Sequence, residues 1–316
     1  MNNRISVIIP CFNVSTIIQE TIKALEKSII KPFEVLCIDD GSEDLTRNKI
    51  YEMMDSSDLN IKYFYQDNQG VSVARNRGIN ESRGDILLFL DADDMFANNF
   101  MLMINNFFTE SIDVVYGQFT HDFSMFERGY KDNKVFKTTD FLTDFTFNKN
   151  RFHMSSFAYK REIIVNNKLF FTPGARYGED WEFTTKYLAN CRQGIRIDDY
   201  VMFYRISSSS AMKKKTYNFV DAIASALRTE KYLKEKEHEF YDVFTPYMFD
   251  KAVFSTAHIF AKLGEKEFIE KFCEEYDVKL SMKRLINNKK SGFKTKFVSL
   301  IYLLWPCFFY DFVGRK

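Results

Sequence analysis

The stretch GDILLFLDADD, residues 84–94, limits what this chain can fold into more than any other. Residues 86–90 are apolar without interruption, too short a run for a free helix, and Gly84 and Asp91 bound them. That is the pattern of a strand buried on both faces, as in parallel sheets covered by helices. The strand ends on Asp91, Asp93 and Asp94, with only Ala92 between them. In open α/β sheets ligands sit at the carboxyl ends of the strands. Three acids packed there repel one another strongly unless a cation is close by. Taken alone, the same residues also describe a solvated turn with an Asp helix cap, so the rest of the chain has to decide.

The preceding residues alternate between two periodicities. Residues 5–9 form a short buried-strand pattern that Pro10 ends, and residues 33–38 form the next, running into Asp39, Asp40, Gly41 and Ser42. Residues 61–65 are a third strand. Between them, residues 16–28 place Ile17, Ile18, Ile22 and Leu25 at helical spacing, and residues 43–54 read as a second helix with Asp44 near its start. Residues 70–82 are a helix whose polar face carries Arg75, Asn76 and Arg77. This alternation predicts a parallel sheet with crossover helices. No GxGxxG follows the first strand and no GxxxxGK[ST] occurs, so the dinucleotide and P-loop motifs are missing. In their place two strands end in acids, with an arginine-bearing helix leading between them. The pattern points to a charged ligand gripped by carboxylates through polar groups and a metal.

Beyond residue 100 the signals thin out. Residues 113–119 and 157–160 are strand patterns, residues 163–167 suggest a short helix, and residues 121–150 are polar, aromatic and without clear period. Glu179, Asp180 and Trp181 open a helical pattern, in which acids at a helix N-terminus also simply complement its dipole. Residues 200–204 are a last strand, followed by Arg205, a serine run at 207–210 and Lys213, Lys214 and Lys215. From Tyr217 onward only helices are predicted: 220–234, 247–263, 266–276 and 282–287.

Composition bounds the rest. A chain of 316 residues makes one large or two modest domains, and a net charge of +1 gives no argument for nucleic acid. The charge is uneven: residues 281–316 carry a local +7. Within them, residues 297–313 are strongly apolar and aromatic but broken by Pro306 and Asp311. Two readings stay open for 289–316: an in-plane anchor on an anionic membrane, or a helix burying its aromatics against the domain or a partner copy. The five cysteines are scattered without CxxC spacing, which argues against structural zinc or a disulfide framework and fits a reducing cytoplasm. No secretory signal pattern follows Arg4.

In order, SVIIPCFN, VLCIDDGSED, NQGVSVARNRGI and GDILLFLDADD resemble the family 2 glycosyltransferases of GT-A fold. The resemblance covers roughly the first 215 residues. It implies an α/β, Rossmann-like, mostly parallel sheet flanked by helices, with a helical C-terminal extension. Residues 1–215 would form the catalytic domain, with 1–94 the nucleotide-sugar half and 95–215 the acceptor half, and residues 216–316 the helical region. By the same resemblance Pro10, Phe12 and Asn13 lie beside the donor, with Phe12 stacking on a uracil ring. Asp39 accepts the uracil N3–H, and Gly41 allows the turn after it, while Asp40 and Ser42 cap the next helix or support the loop. Arg75 presents a cation to the donor, Arg77 points elsewhere, and Arg205 is a phosphate partner in a basic, serine-bearing loop. Asp93 binds Mn²⁺ or Mg²⁺ directly, with Asp91 facing the ribose or metal and Ala92 between them against the nucleotide sugar. Asp180, with Glu179 beside it, matches the family's ED motif and is the base expected for the acceptor hydroxyl. Trp181 offers an apolar plate for a sugar ring.

The function implied is inverting transfer from a UDP-sugar to a saccharide or lipid-linked saccharide in cell-surface polysaccharide assembly. The place implied is the cytoplasm, at the inner membrane face, with self-association left open. A non-catalytic nucleotide-sugar-binding protein is the alternative. A nucleotidyltransferase would need a glycine-rich, lysine-bearing loop after the first strand, and CFNVSTI is not one.

Overall fold

A computed structural model describes residues 3–126, 133–137, 140–142, 153–206, 215–289 and 291–304. The chain divides into two compact units. The first comprises Met1–Phe141, Asn150–Gly174 and Tyr187–Ser207; the second comprises Leu142–Lys149, Ala175–Lys186 and Ser208–Lys316.

Among the described residues, the first unit is built on one nine-stranded sheet. Its strands are β1 (Ile5–Cys11), β2 (Glu34–Asp40), β3 (Ile61–Gln66), β4 (Ile86–Phe89), β5 (Met95–Phe96), β6 (Val114–Thr120), β7 (Asn133–Lys137), β8 (Phe157–Lys160) and β9 (Gln193–Phe203). They run in the order β3-β2-β1-β4-β8-β6-β9-β5, with β7 pairing β9. From β3 to β4 every neighbour is parallel, as the alternation predicts, and β8 joins β4 antiparallel. β1 and β4 lie side by side, with Ile8 opposite Phe89. The carboxyl ends of β2, β1 and β4 are therefore adjacent.

Why these residues make this sheet is visible in β1. Ile5, Val7, Ile9 and Cys11 point into one core with Ile18, Ile22 and Leu25 of helix α1 (Ile18–Glu26). Ile50 and Met53 of α2 (Thr46–Ser56) join the same core. The other face takes α3 (Val71–Glu81), which comes so close that a Cβ on Gly78 would meet Ile8 Cγ2 at 2.3 Å. Only glycine permits that approach. Helix α4 (Phe100–Phe107) adds Phe100, Met101, Met103 and Ile104 to the first core. Short helices α5 (Phe123–Phe126) and α6 (Arg161–Asn166) complete the described helices that lie wholly in this unit.

Three strands run past the sequence pattern by two residues or more. β1 does not stop at Pro10 but continues to Cys11, because its ladder goes on opposite Ile38 and Asp39 of β2. β2 extends through Asp39 and Asp40, both buried, because its ladder continues opposite Tyr65 and Gln66 of β3. β9 begins at Gln193, seven residues before residue 200. Its polar residues hide the period, but Arg196 and Asp198 pair with each other across 2.7 Å.

Helix α7 (Glu179–Leu188) starts two residues before Trp181, and its first eight residues belong to the second unit. That unit also holds α8 (Asp221–Glu235), α9 (Tyr241–Leu263), α10 (Lys266–Glu275), α11 (Val278–Asn287) and α12 (Phe293–Leu304). Helix α9 begins six residues earlier than its apolar pattern predicts, and ends on Gly264 in the left-handed conformation. α9 packs on α8, α10 and α11, and α11 packs on α12. Among the described residues no helix is long and apolar enough to cross a membrane. Most of the serine and lysine loop (207–214) and the apolar end (305–316) lie outside the described residues, as do residues 127–132 and 143–152.

Candidate nucleotide-sugar site

Two groups of polar side chains gather at the carboxyl ends of β1, β2 and β4. The first surrounds Asp39, which is buried. Its Oδ1 accepts from the Ser42 N–H at 2.9 Å and its Oδ2 accepts from the Tyr63 hydroxyl at 2.6 Å. Arg47 Nε donates in turn to the Tyr63 hydroxyl at 3.1 Å, and the guanidinium lies 4.8 Å from the Tyr65 ring centre. Burial, and then the hydrogen bond to Asp39, push the Tyr63 hydroxyl up to about 12, so it stays a donor. Neither Tyr63 nor Arg47 stands out in the sequence, because each is a single polar residue within an ordinary strand or helix.

The loop after β1 is tied to this group. Asn13 takes a positive φ of 53°; its N–H donates to Ser42 Oγ and its Oδ1 accepts from the Glu43 N–H, each at 2.9 Å. Gly41 has φ of +78°, and a Cβ there would meet Asn68 N at 2.8 Å, so the turn requires glycine on both counts. Pro10 lies in β1 opposite Ile38. Phe12 is 50% exposed, an aromatic face that is not core.

Asp40 does something other than cap the next helix. Its oxygens accept from the Gln69 and Gly70 N–H groups at 3.0 and 2.8 Å, holding the start of α3. The parallel pairing of β2 with β3 aims Asp40 at that loop. The next helix is served by Asp44, which accepts from the Thr46 N–H at 2.9 Å, while Ser42 binds Asn13.

The second group is the acid turn itself. Thr21 Oγ1 donates to the carbonyls of Ala92 and Asp94 at 2.7 and 3.1 Å, and the Ala92 side chain is buried in the core. Arg75 is buried on α3; its Nη2 donates to Asp91 Oδ1 at 2.9 Å and its guanidinium lies 5.3 Å from the Phe171 ring centre. Arg77 instead donates to the Tyr65 carbonyl and lies near the Phe64 ring. Arg205 is drawn into the turn: its N–H donates to Asp94 Oδ1 at 2.9 Å, its Nε to the Asp93 carbonyl at 3.1 Å and its Nη2 to Glu20 at 2.7 Å.

Asp91, Asp94 and His153 converge, with ligand atoms all within 4.8 Å of one another. His153 sits just before β8, its ring 4.8 Å from that of Tyr204. Asp93 is the neighbour of this cluster and not one of its three members. The electrostatics are those of a site short of positive charge. Asp94 is fully buried, and desolvation followed by the nearby Asp91 charge push it up to about 9. Its Oδ2 is buried and has no hydrogen-bond partner. Burial and the Asp91 charge raise Asp93 as well. Asp91 moves the other way, because Arg75 and then His153 outweigh the desolvation that would raise it. Two carboxylates, one of them with an orphaned buried oxygen, and one imidazole fit an oxygen-preferring divalent cation such as Mn²⁺ or Mg²⁺. The sequence gives His153 no signal, since it is a lone histidine between the stretch without period and the next strand pattern.

In the second unit, Glu179 is buried and Asp180 half-buried in the first turn of α7. Gly178, at φ of +82°, lets that turn approach Ala222 and Ser225. The Trp181 ring stacks on Phe244 at 5.5 Å. Glu182, one turn along the same helix, pairs with Lys186 and Arg228 at 2.6 and 2.7 Å.

A sheet of this order with helices on its faces and acids at these strand ends is the GT-A class of α/β fold. Within that class, residues 6–170 match the family model described as Glycosyl transferase family 2, and the chain belongs to that family. The GalNAc(5)-diNAcBac-PP-undecaprenol beta-1,3-glucosyltransferase of Campylobacter jejuni is 25% identical over 173 residues, 52% of this chain and 54% of that protein. TarS residues 1–349 from S. aureus, solved with UDP-GlcNAc, is 16% identical, with a TM-score of 0.57, covering 99% of this chain and 90% of that one. The mannosyltransferase PcManGT from Pyrobaculum calidifontis, in complex with GDP-Man and Mn²⁺, is 16% identical, with a TM-score of 0.53, covering 97% and 88%. At such identities the two structures speak for the fold alone. The chain spans less than two thirds of the length of several curated relatives, 62% of one and 34% of another.

Proposed function

We propose that this chain is a metal-dependent inverting glycosyltransferase that moves a sugar from a UDP-sugar to a saccharide hydroxyl. One observation carries the reading: two different polar sites stand at the carboxyl ends of β2 and β4, on either side of β1 in one unit. Asp39 with its own donors forms one, and Asp91, Asp94 and His153 form the other. A nucleoside diphosphate has a base and a pair of phosphates to fill both.

Asp39 receives the base. Each carboxylate oxygen has two lone-pair sites. With Ser42 and Tyr63 taking one apiece, an acceptor remains for the N3–H of uracil, which cytosine lacks. Phe12 stacks on the ring, a contact worth about 1–3 kcal/mol per base. Pro10, Asn13 and Gly41 shape the loops around it, and Ala92 fixes the backbone between the two acids. Asp91, Asp94 and His153 hold the cation, with Asp93 beside them as a further carboxylate for it or for the ribose. When bound, Mn²⁺ or Mg²⁺ supplies Lewis-acid stabilisation of the charge developing on the departing diphosphate. Arg75 keeps Asp91 ionised, and Arg205 holds the acid turn in place.

Asp180 takes the proton from the acceptor hydroxyl as it attacks the anomeric carbon, which inverts the configuration. Glu179 adds negative charge beside it, and Trp181 gives the acceptor sugar an apolar surface. The acceptor is a lipid-linked saccharide met at the inner face of the membrane, in cell-surface polysaccharide assembly. The undecaprenol-linked substrate named for the Campylobacter relative supports this. The test is a thermal-shift screen with UDP-, GDP- and dTDP-sugars, with and without Mn²⁺. A metal-dependent shift largest with a UDP-sugar is expected; absence of any metal-dependent shift with every nucleotide refutes the reading.

A further inference from the structure

We infer that the second unit docks on an anionic lipid surface through one face of helix α12. This deepens the reading of the acceptor as lipid-linked, but the surface itself is read from this unit alone. Along Phe293–Leu304, the exposed large apolar side chains are Phe293 (83%), Phe297 (48%), Leu300 (45%) and Leu304 (56%). Their spacing of four, three and four residues sets them in a single stripe. Thr295, Val298, Ser299, Ile301 and Tyr302 are buried on the opposite side. The helix is therefore seated in its unit by one face and presents a second apolar face outward. Phe293 and Phe297 stack with ring centres 6.1 Å apart, which makes the start of the stripe a continuous aromatic surface.

Charge selects the occupant. By helical periodicity Lys294 and Lys296 fall on either side of the stripe, and Lys294 is exposed. From residue 278 to residue 310 the chain has seven Lys or Arg and no acid. An apolar stripe flanked by cations is the pattern of a helix lying in a membrane interface, drawn there by anionic headgroups. The sequence beyond Leu304 continues in kind, with Trp305, Phe308, Phe309, Tyr310 and Phe312, residue types that favour that interface. Because its other face is buried in its own unit, α12 meets the membrane lying on the surface. A second copy fits less well. It would set the same cations against themselves across a two-fold axis. A stripe of four side chains also falls far short of the roughly 20–30 residues per side of a stable interface.

The experiment is co-sedimentation of the full chain with sucrose-loaded vesicles. Vesicles of phosphatidylcholine with phosphatidylglycerol are compared with phosphatidylcholine alone, at low and high salt. The expected result is binding to the anionic vesicles, roughly tenfold or more weaker to the neutral ones, and released by salt. The double variant Phe297→Glu, Leu300→Glu should lose roughly tenfold or more of that binding with an unchanged circular dichroism spectrum. Three outcomes overturn the proposal: no vesicle binding, equal binding to both vesicle types, or full binding by the variant. A dimer by light scattering that the variant breaks, without vesicle binding, assigns the face to a second copy instead. The two readings fail separately. A nucleotide-dependent thermal shift without vesicle binding sinks only the surface, and vesicle binding without that shift sinks only the donor assignment.

Discussion

Replacing Asp39 by Asn separates recognition of the base from stability of the fold. The carboxylate accepts from Ser42 N–H on Oδ1 and from Tyr63 hydroxyl on Oδ2. An amide has one acceptor oxygen and one NH₂ donor. Its oxygen can stay on Ser42 while its nitrogen faces Tyr63, whose hydroxyl turns and accepts, as it already does from Arg47. Both amide atoms then have partners, and the Tyr63 O–H, which is only half-buried, turns to water, so the melting temperature should change little. The base is another matter. The variant removes a charged acceptor and sets an N–H donor where Oδ2 was. A hydrogen bond to a charged group is worth about 1.5–3 kcal/mol net, so UDP should bind roughly ten- to 150-fold more weakly. Cytosine has an acceptor at N3, so CDP should lose much less. Calorimetric titrations of UDP and CDP against both proteins, beside thermal unfolding, measure this directly. UDP affinity within about twofold of the unaltered protein, with CDP likewise unmoved, would refute the placement of the base at Asp39.

Three further outcomes follow from the same structure. Asp180→Asn should lower transfer by roughly 10²–10⁴-fold, the usual contribution of a general base, while UDP binding persists; undiminished single-turnover transfer removes Asp180 from that role. Asp94→Asn, which replaces the carboxylate whose buried Oδ2 has no partner, should abolish the Mn²⁺-dependent enhancement of water proton relaxation; a retained enhancement moves the cation elsewhere. His258 sets an acid limit. Burial, then Lys262, Lys294 and Lys251, lower it to about 4 from its ordinary value of 6.5, and its buried Nδ1 has no partner. The unfolded chain therefore binds the extra proton first as pH falls, and stability contributed by the neutral imidazole is full above about 6.5 and lost toward about 4. The group is only half-buried, so the loss is on the order of 1–2 kcal/mol after discounting for solvent. His258→Gln should flatten that part of the stability curve; an unchanged slope between pH 6.5 and 4 disproves the assignment.

How much was legible in the sequence depended on how local the cause was. The parallel half of the sheet follows from residues near in sequence: short apolar runs, amphipathic helices between them and acids where the runs stop. Glycine at 41 and 78 follows from turn geometry and close packing, but only the second strand's acids announced the first of these. Elements whose period is masked by polar pairs were shortened, as β9 was by Arg196, Asp198 and Asp199.

The sequence by itself determined that carboxylates would stand at the ends of two buried strands in an α/β fold, because strand period and chain direction are local properties. It did not determine what each carboxylate meets. Asp40 serves a helix start 30 residues away, and Arg205 reaches Asp94 across 111 residues. Tyr63 reaches Asp39 only because β2 and β3 are paired, and His153 joins Asp91 and Asp94 only because β8 runs beside β4. Tertiary structure also decided which side of α12 is seated and which is bare, since its apolar residues run nearly all round. A hydrogen bond or a buried charge depends on distance in space, and single residues carry no periodic signal of that distance.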